Sequence, residues 1–140
     1  SVMDASPEGA VELFHGYTYS GIPVAVSAAI AVQKIFEKED IFNRVKKLSS
    51  YFEDGLHSLK DLSCIDSIRN YGLLGGIDIS MRDKPGKAGF NVYKKCYDAG
   101  VNIKPTGDAL IIAPPFICEK KDIDELIEKM RKGITNHLKS

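Results

Sequence analysis

Cys64-Ile65-Asp66-Ser67-Ile68-Arg69-Asn70-Tyr71-Gly72-Leu73-Leu74-Gly75-Gly76-Ile77-Asp78-Ile79-Ser80 is where the periodicity of this 140-residue chain changes. Residues 64–71 alternate partly between apolar and polar, and Ile77-Asp78-Ile79-Ser80 alternates strictly. A period of two belongs to strands, so the segment reads as two strands around Gly72 or as one strand with a glycine bend. Gly72-Leu73-Leu74-Gly75-Gly76 resembles a phosphate loop only superficially. Such a loop feeds a helix whose N-terminus holds the anion, and here the continuation is strand-like. Hairpin geometry accounts for these glycines.

On the N-terminal side the pattern is helical. Pro23, placed where its missing N–H is harmless, opens a helix reaching about Glu39, with Ala25, Ala28, Ala29 and Val32 on a small-residue face. A second helix runs from about Ile41 to Leu59, with Val45, Leu48, Phe52, Leu56 and Leu59 forming an amphipathic stripe. Gly55 interrupts it, at a cost of about 1 kcal/mol relative to alanine, which points to a close neighbour there.

On the C-terminal side, residues 81–87 read as a loop and Ala88–Ala99 as a helix stopped by Gly100. Val101–Lys104 is expected to be a short strand, residues 106–108 a turn, and Ala109–Ala113 a strand ended by Pro114-Pro115. The last helix starts at Lys120 or Asp122 and presents Ile123, Leu126, Ile127, Met130 and Ile134 on one face. Two helices, two strands, a helix, two strands and a helix make a two-layer α+β domain, a sheet of roughly four strands covered by helices.

Composition limits the function classes. A chain of 140 residues can bury about two-thirds of its unfolded surface as one domain. Its 19 basic and 19 acidic residues cancel, which gives no support to a nucleic-acid partner or a polybasic membrane contact. The Val24–Val32 run falls well short of the ~20 apolar residues that a membrane span needs. Cys64, Cys96 and Cys118 are widely spaced and odd in number, so they read as reduced, buried thiols of a cytoplasmic protein. His15, His57 and His137 are equally scattered, and no spacing suits a metal.

Polar chemistry concentrates in Phe14-His15-Gly16-Tyr17-Thr18-Tyr19-Ser20-Gly21-Ile22-Pro23. The hydroxyls of Thr18 and Ser20, with backbone amides beside Gly16 and Gly21, suit an anion such as phosphate. A helix N-cap with aromatic packing explains the same residues, and the sequence leaves both open. His15 has no nucleophile beside it and reads as structural. Lys104 ends a short strand beside a turn; such a lysine is ordinarily solvated, with anion binding as the alternative. The acidic run Asp122-Ile123-Asp124-Glu125 is explained by helix N-terminal electrostatics.

The segment 14–23, followed by the alanine-rich helix, resembles class III pyridoxal-phosphate-dependent aminotransferases, and most nearly the omega-amino acid–pyruvate branch, which includes the β-alanine–pyruvate type. The resemblance continues in order through Tyr51-Phe52-Glu53-Asp54-Gly55-Leu56-His57-Ser58-Leu59, Ile68-Arg69-Asn70-Tyr71-Gly72-Leu73-Leu74-Gly75-Gly76-Ile77 and Ala113-Pro114-Pro115-Phe116-Ile117. It implies that residues 1–23 are the end of a large domain carrying a cofactor-phosphate loop. Residues 24–140 would be the C-terminal small domain of a fold type I enzyme, with a largely antiparallel sheet. It implies a homodimer with the active site at the subunit interface. Thr18 would bind the phosphate of pyridoxal 5'-phosphate in the neighbouring subunit's site, with Tyr17 beside it. Lys104 stands where the family commonly has an arginine that engages the substrate carboxylate. Lysine keeps the charge and loses the planar fork. Ile22 stands where the family often has histidine.

The resemblance also implies that the cofactor-bearing lysine lies upstream of the equivalent of residue 1. The expectation is therefore a C-terminal fragment of an aminotransferase. The full protein would pass an amino group from an omega-amino acid or amine to pyruvate or a similar keto acid, and these residues alone would be inactive. The alternatives are a stand-alone α+β binding module, or a class III enzyme using 4-aminobutyrate, ornithine or diaminopelargonate as donor.

Overall fold

A computed structural model describes residues 16–80 and 86–139. Expectations for residues 1–15, the structural role of His15 among them, and for residues 81–85 lie outside the described part. The chain divides into two compact units, residues 1–38 and 39–140.

In the first unit the described residues form a turn over 18–21 and helix α1, Pro23–Lys38. The helix starts at Pro23, as its fixed φ and missing donor favour. Within its own unit α1 buries none of its residues, the small-residue face included.

The second unit carries helix α2 (Ile41–His57) and a 3₁₀ turn over Ser58–Asp61. Strands β1 (Ile65–Tyr71) and β2 (Leu74–Ile79) follow, then helix α3 (Ala88–Asp98). Strands β3 (Lys104–Thr106) and β4 (Ala109–Ile112) precede helix α4 (Lys120–Leu138). The sheet order is β1-β2-β4-β3 and every pairing is antiparallel. This is the two-layer α+β arrangement expected from the sequence.

Register assigns the faces. Ile77, Ile79, Leu110 and Ile112 point to one side of the sheet and are buried. Phe52 and Leu56 of α2, Val92 and Cys96 of α3, and Ile123, Met130 and Ile134 of α4 cover them. At Gly133 of α4 a Cβ would stand 2.6 Å from the Cα of Cys96, so α3 and α4 cross at a separation only glycine permits. The expected neighbour of Gly55 is Ile127 of α4, 3.2 Å from where a Cβ would be. Polar ties close the helix layer. Arg44 of α2 donates to the carbonyls of Ile117 and Cys118 at 2.7 and 3.2 Å. Arg131 of α4 donates to Asp61 at 2.8 Å and to the Ser58 carbonyl at 2.6 Å.

Both hairpins turn through two residues with glycine first: Gly72-Leu73 between Tyr71 and Leu74, and Gly107-Asp108 between Thr106 and Ala109. The two glycines have φ of 57° and 56°, the left-handed value that this turn pattern requires at its first position. The glycine cluster is thus a hairpin turn and part of β2, as expected. The third strand is displaced: Val101–Lys104 was the expectation and Lys104–Thr106 is observed. The N–H of Val101 donates back to the Cys96 carbonyl at 3.0 Å to close α3, and Ile103 is buried in the core. Pairing with β4 therefore begins only at Lys104.

Cys64, Cys96 and Cys118 are buried, and none forms a disulfide. Burial pushes the Cys96 thiol up to about 11, and raises Cys118 as well. Among the described residues no group of side chains could hold a metal ion, and no helix is long and apolar enough to cross a membrane.

Candidate functional site

The candidate residues fall in both units. In the first, the segment before α1 is a tight turn: the Ser20 N–H donates to the Tyr17 carbonyl at 2.9 Å, and the Tyr17 N–H donates to Ser20 Oγ at 2.8 Å. Gly21 leaves the turn with a φ of 76°. Ser20 thus closes the turn. Among the described residues neither hydroxyl is shown accepting an N–H from the first turn of α1: Ser20 Oγ is taken by the Tyr17 N–H. The rings of Tyr17 and Tyr19 are exposed. What remains is an exposed Thr18 hydroxyl that bonds to no described residue. No atom lies within 4 Å of where a Cβ would stand at Gly16 or Gly21, so the backbone there is open to an incoming group. Such a turn can receive a phosphate through Thr18 and its backbone amides.

In the second unit Lys104 begins edge strand β3 and is exposed. It pairs with Ile111, which pairs with Gly76, which pairs with Arg69. These four residues form one row across the sheet on the face away from the helices. A concavity of about 590 Å³ opens at the Lys104 end, lined by Tyr93, Asn102, Lys104, Pro105, Ile111 and Ala113. An ammonium group on an apolar wall with one amide and one phenol suits a small carboxylate attached to an apolar body.

Arg69, at the opposite end of the row, is already engaged. It is ion-paired with Asp78, which also accepts from Ser67 Oγ at 2.5 Å. Hydrogen bonds from Arg69 and then Ser67 hold the Asp78 carboxyl below the usual carboxylate range, and the Arg69 guanidinium is raised in turn. Lys104 is therefore the better placed of the two cations for a small anion.

Of the acidic run at the start of α4, Asp122 takes the expected helix N-terminal role and the other two bond to side chains. Asp122 accepts the Glu119 N–H at 2.8 Å, Asp124 accepts the Tyr51 hydroxyl at 2.6 Å, and Glu125 pairs with Lys129 at 2.5 Å. The hydrogen bond to Asp124 raises the Tyr51 phenol.

Sequence reasoning missed Tyr93, Asn102 and Asp108. The Asp108 carboxylate accepts the Gly86 N–H at 2.8 Å and the Ala88 N–H at 3.0 Å, capping α3 from 20 residues away. Gly107-Asp108 signalled a turn; nothing local signalled the cap.

Comparison with known proteins bears on what this arrangement serves. The family model "Aminotransferase class-III" matches residues 1–134. An omega-aminotransferase of Caulobacter vibrioides is 38% identical over 135 residues, which cover 94% of this chain and 31% of that protein. An omega-amino acid–pyruvate aminotransferase of Pseudomonas putida is 38% identical over 128 residues, covering 88% of this chain and 28% of that protein. The crystal structure of adenosylmethionine-8-amino-7-oxononanoate aminotransferase from Methanocaldococcus jannaschii superposes with a TM-score of 0.79 at 32% identity, over 89% of this chain and 30% of that one. The chain spans under a third of the length of the relatives it matches. With the family pattern running from residue 1 to residue 134, the chain belongs to the class III aminotransferases.

Proposed function

We propose that the protein containing this chain transfers an amino group from an omega-amino acid or amine to pyruvate or a similar keto acid, using pyridoxal 5'-phosphate. The observation that carries this reading is the family match over residues 1–134, with relatives named for omega-amino acid–pyruvate and beta-alanine–pyruvate transfer at 38% and 35% identity. Residues 1–23 are the end of the large domain with the phosphate loop, and residues 24–140 the C-terminal small domain.

The open turn over 18–21 fits the phosphate group. Thr18 holds it by its hydroxyl and the neighbouring amides, with Tyr17 beside it, in the site of a second copy of the chain. An α1 that buries nothing within its own unit, with a small-residue face, supports a close-packed homodimer. When bound, pyridoxal phosphate supplies the electron sink that amino transfer requires. Lys104 supplies the charge that holds the substrate carboxylate and orients the keto acid. Its ammonium is a point charge, so it tolerates a rotated carboxylate better than a bidentate arginine would. The lysine that carries the cofactor belongs to the part of the relatives that this chain does not span, so these 140 residues alone do not transaminate. We place the protein in the cytoplasm, which suits three buried cysteines outside any disulfide.

The test is alanine formation by the full-length protein from pyruvate and a panel of omega-amino acids and primary amines. Alanine formation is expected with at least one of these donors. No alanine from any donor, with turnover of a different acceptor, would overturn the pyruvate assignment. Conversion of pyridoxal phosphate to pyridoxamine phosphate by an amine donor, faster with the 140-residue chain than without any protein, would overturn the inactivity of the chain alone.

A further inference from the structure

The sheet presents Lys104 from its weakest element. Strand β3 has three residues, lies at an edge and pairs only with β4; its middle residue, Pro105, has no N–H to give. A ladder this short fixes an ammonium group poorly without a second anchor.

The turn that follows supplies one. One Asp108 carboxylate oxygen accepts the N–H groups of Gly86 and Ala88, both at 3.0 Å, and the other accepts Gly86 at 2.8 Å. The Asp108 carbonyl accepts the Ile79 N–H at 2.8 Å, tying the same residue to the end of β2. The first turn of α3 also presses on the hairpin turn directly. A Cβ at Gly89 would stand 2.5 Å from the Gly107 carbonyl oxygen and 2.7 Å from that of Ala109. Helix α3 has no cap of its own, because Lys87 stands at its N-cap with no side-chain cap bond. The helix start and the hairpin turn are thus fixed by each other.

Tyr93 lies four residues beyond Gly89, one turn along α3. It lines the same concavity as Lys104. The contact that locks α3 to the hairpin therefore also sets how far Tyr93 stands from Lys104. We propose that Asp108, with Gly89 as its seat, is a positioning residue for the keto-acid substrate: it fixes the β3–β4 hairpin against α3 and so fixes where Lys104 meets the carboxylate. This rests on the reading of Lys104 given above. Small displacements of a binding group carry large rate penalties, so loss of this clasp is expected to show in one substrate selectively.

The experiment uses the full-length protein with a keto acid and a donor amine that has no carboxylate, comparing wild type, Asp108→Ala, Asp108→Asn, Lys104→Ala and the double variant Asp108→Ala/Lys104→Ala. In Asp108→Ala, kcat/KM for the keto acid is expected to fall about tenfold, and kcat/KM for the amine to change less than about twofold. Asp108→Asn keeps one acceptor and is expected to fall between. In the double variant the Asp108 change is expected to add almost nothing to the Lys104 change, because both act through the same ammonium. Amide hydrogen exchange at Gly86 and Ala88 reports loss of the clasp independently of activity.

If Lys104→Ala leaves the keto-acid kcat/KM unchanged, the carboxylate reading of Lys104 fails and this inference falls with it. If Lys104→Ala lowers it, three results overturn the role of Asp108 alone. One is faster exchange at Gly86 and Ala88 in Asp108→Ala with an unchanged keto-acid kcat/KM. Another is equal loss for amine and keto acid. The third is a full additive loss in the double variant. Should Asp108→Ala fail to fold, Asp108→Asn and its combination with Lys104→Ala decide by the same criteria.

Discussion

The two hairpins of the sheet use the same two-residue, glycine-first turn and stabilise it by opposite means. In β1–β2 the second turn residue is Leu73, 4% exposed and part of the core. In β3–β4 it is Asp108, whose carboxylate caps α3. The first hairpin has strands of seven and six residues, and the second has strands of three and four. A long ladder with an apolar tip is held by burial. A short ladder at the sheet edge depends on a few directed hydrogen bonds. The short, polar-anchored hairpin is the one that carries Lys104.

The largest effect should come from breaking the apolar tip. Leu73→Ala is expected to lower stability by about 2–4 kcal/mol in urea denaturation, since it empties a buried site. Gly89→Ala attacks the second hairpin through its seat on α3 and is expected to cost about 1–3 kcal/mol, because backbone atoms must move. Its signature is faster amide exchange in residues 104–109 and at Ile79, whose N–H the Asp108 carbonyl accepts, with 65–74 unaffected. Asp108→Ala removes a cap and is expected to cost about 1 kcal/mol, and Asp108→Asn less. If Asp108→Ala proved as damaging as Leu73→Ala, the contrast between the hairpins would collapse.

A smaller effect separates the hairpins by pH. Hydrogen bonds from Arg69 and Ser67 hold Asp78 of β2 below the usual carboxylate range. A lowered native value means the unfolded chain takes up the proton first on acidification. The stability Asp78 provides is thus present above its unfolded pKa and is lost as pH falls through the native value. Asp78→Asn should flatten the acid limb of a denaturation-midpoint profile, slightly, since the pair is exposed. The smallest effect is Lys104→Ala on stability, within about 0.5 kcal/mol, because its side chain is exposed on an edge strand.

What was legible in the sequence followed the range of the signal. The stripe of Phe52, Leu56 and Leu59 and that of Ile123, Met130 and Ile134 repeat at helical spacing, and all six residues are in the core. The glycine-marked turns were equally local. The third strand was placed three residues early because Val101-Asn102-Ile103 alternates like a strand, although Ile103 is held by packing and Val101 by the end of α3. At the site, the turn around Thr18 was readable from its bordering glycines, but the use of Ser20 to close it was not. Lys104 drew attention through a resemblance; its spacing alone gave no reason. Tyr93 and Asp108 act on partners far along the chain, Gly86 being 22 residues from Asp108, and no local pattern encodes such pairs.

Pro105 has a further consequence. A sheet edge offers unpaired N–H and C=O groups that invite strands from other molecules, and runaway pairing of this kind is a route to aggregates. Strand β3 is three residues long, begins with a charged lysine and has no donor at its centre. The opposite edge, β1, is interrupted by a register shift between Ile65 and Ser67. The features that make β3 a weak ladder also make it a poor template, so this edge can stay exposed while the chain folds without recruiting its neighbours.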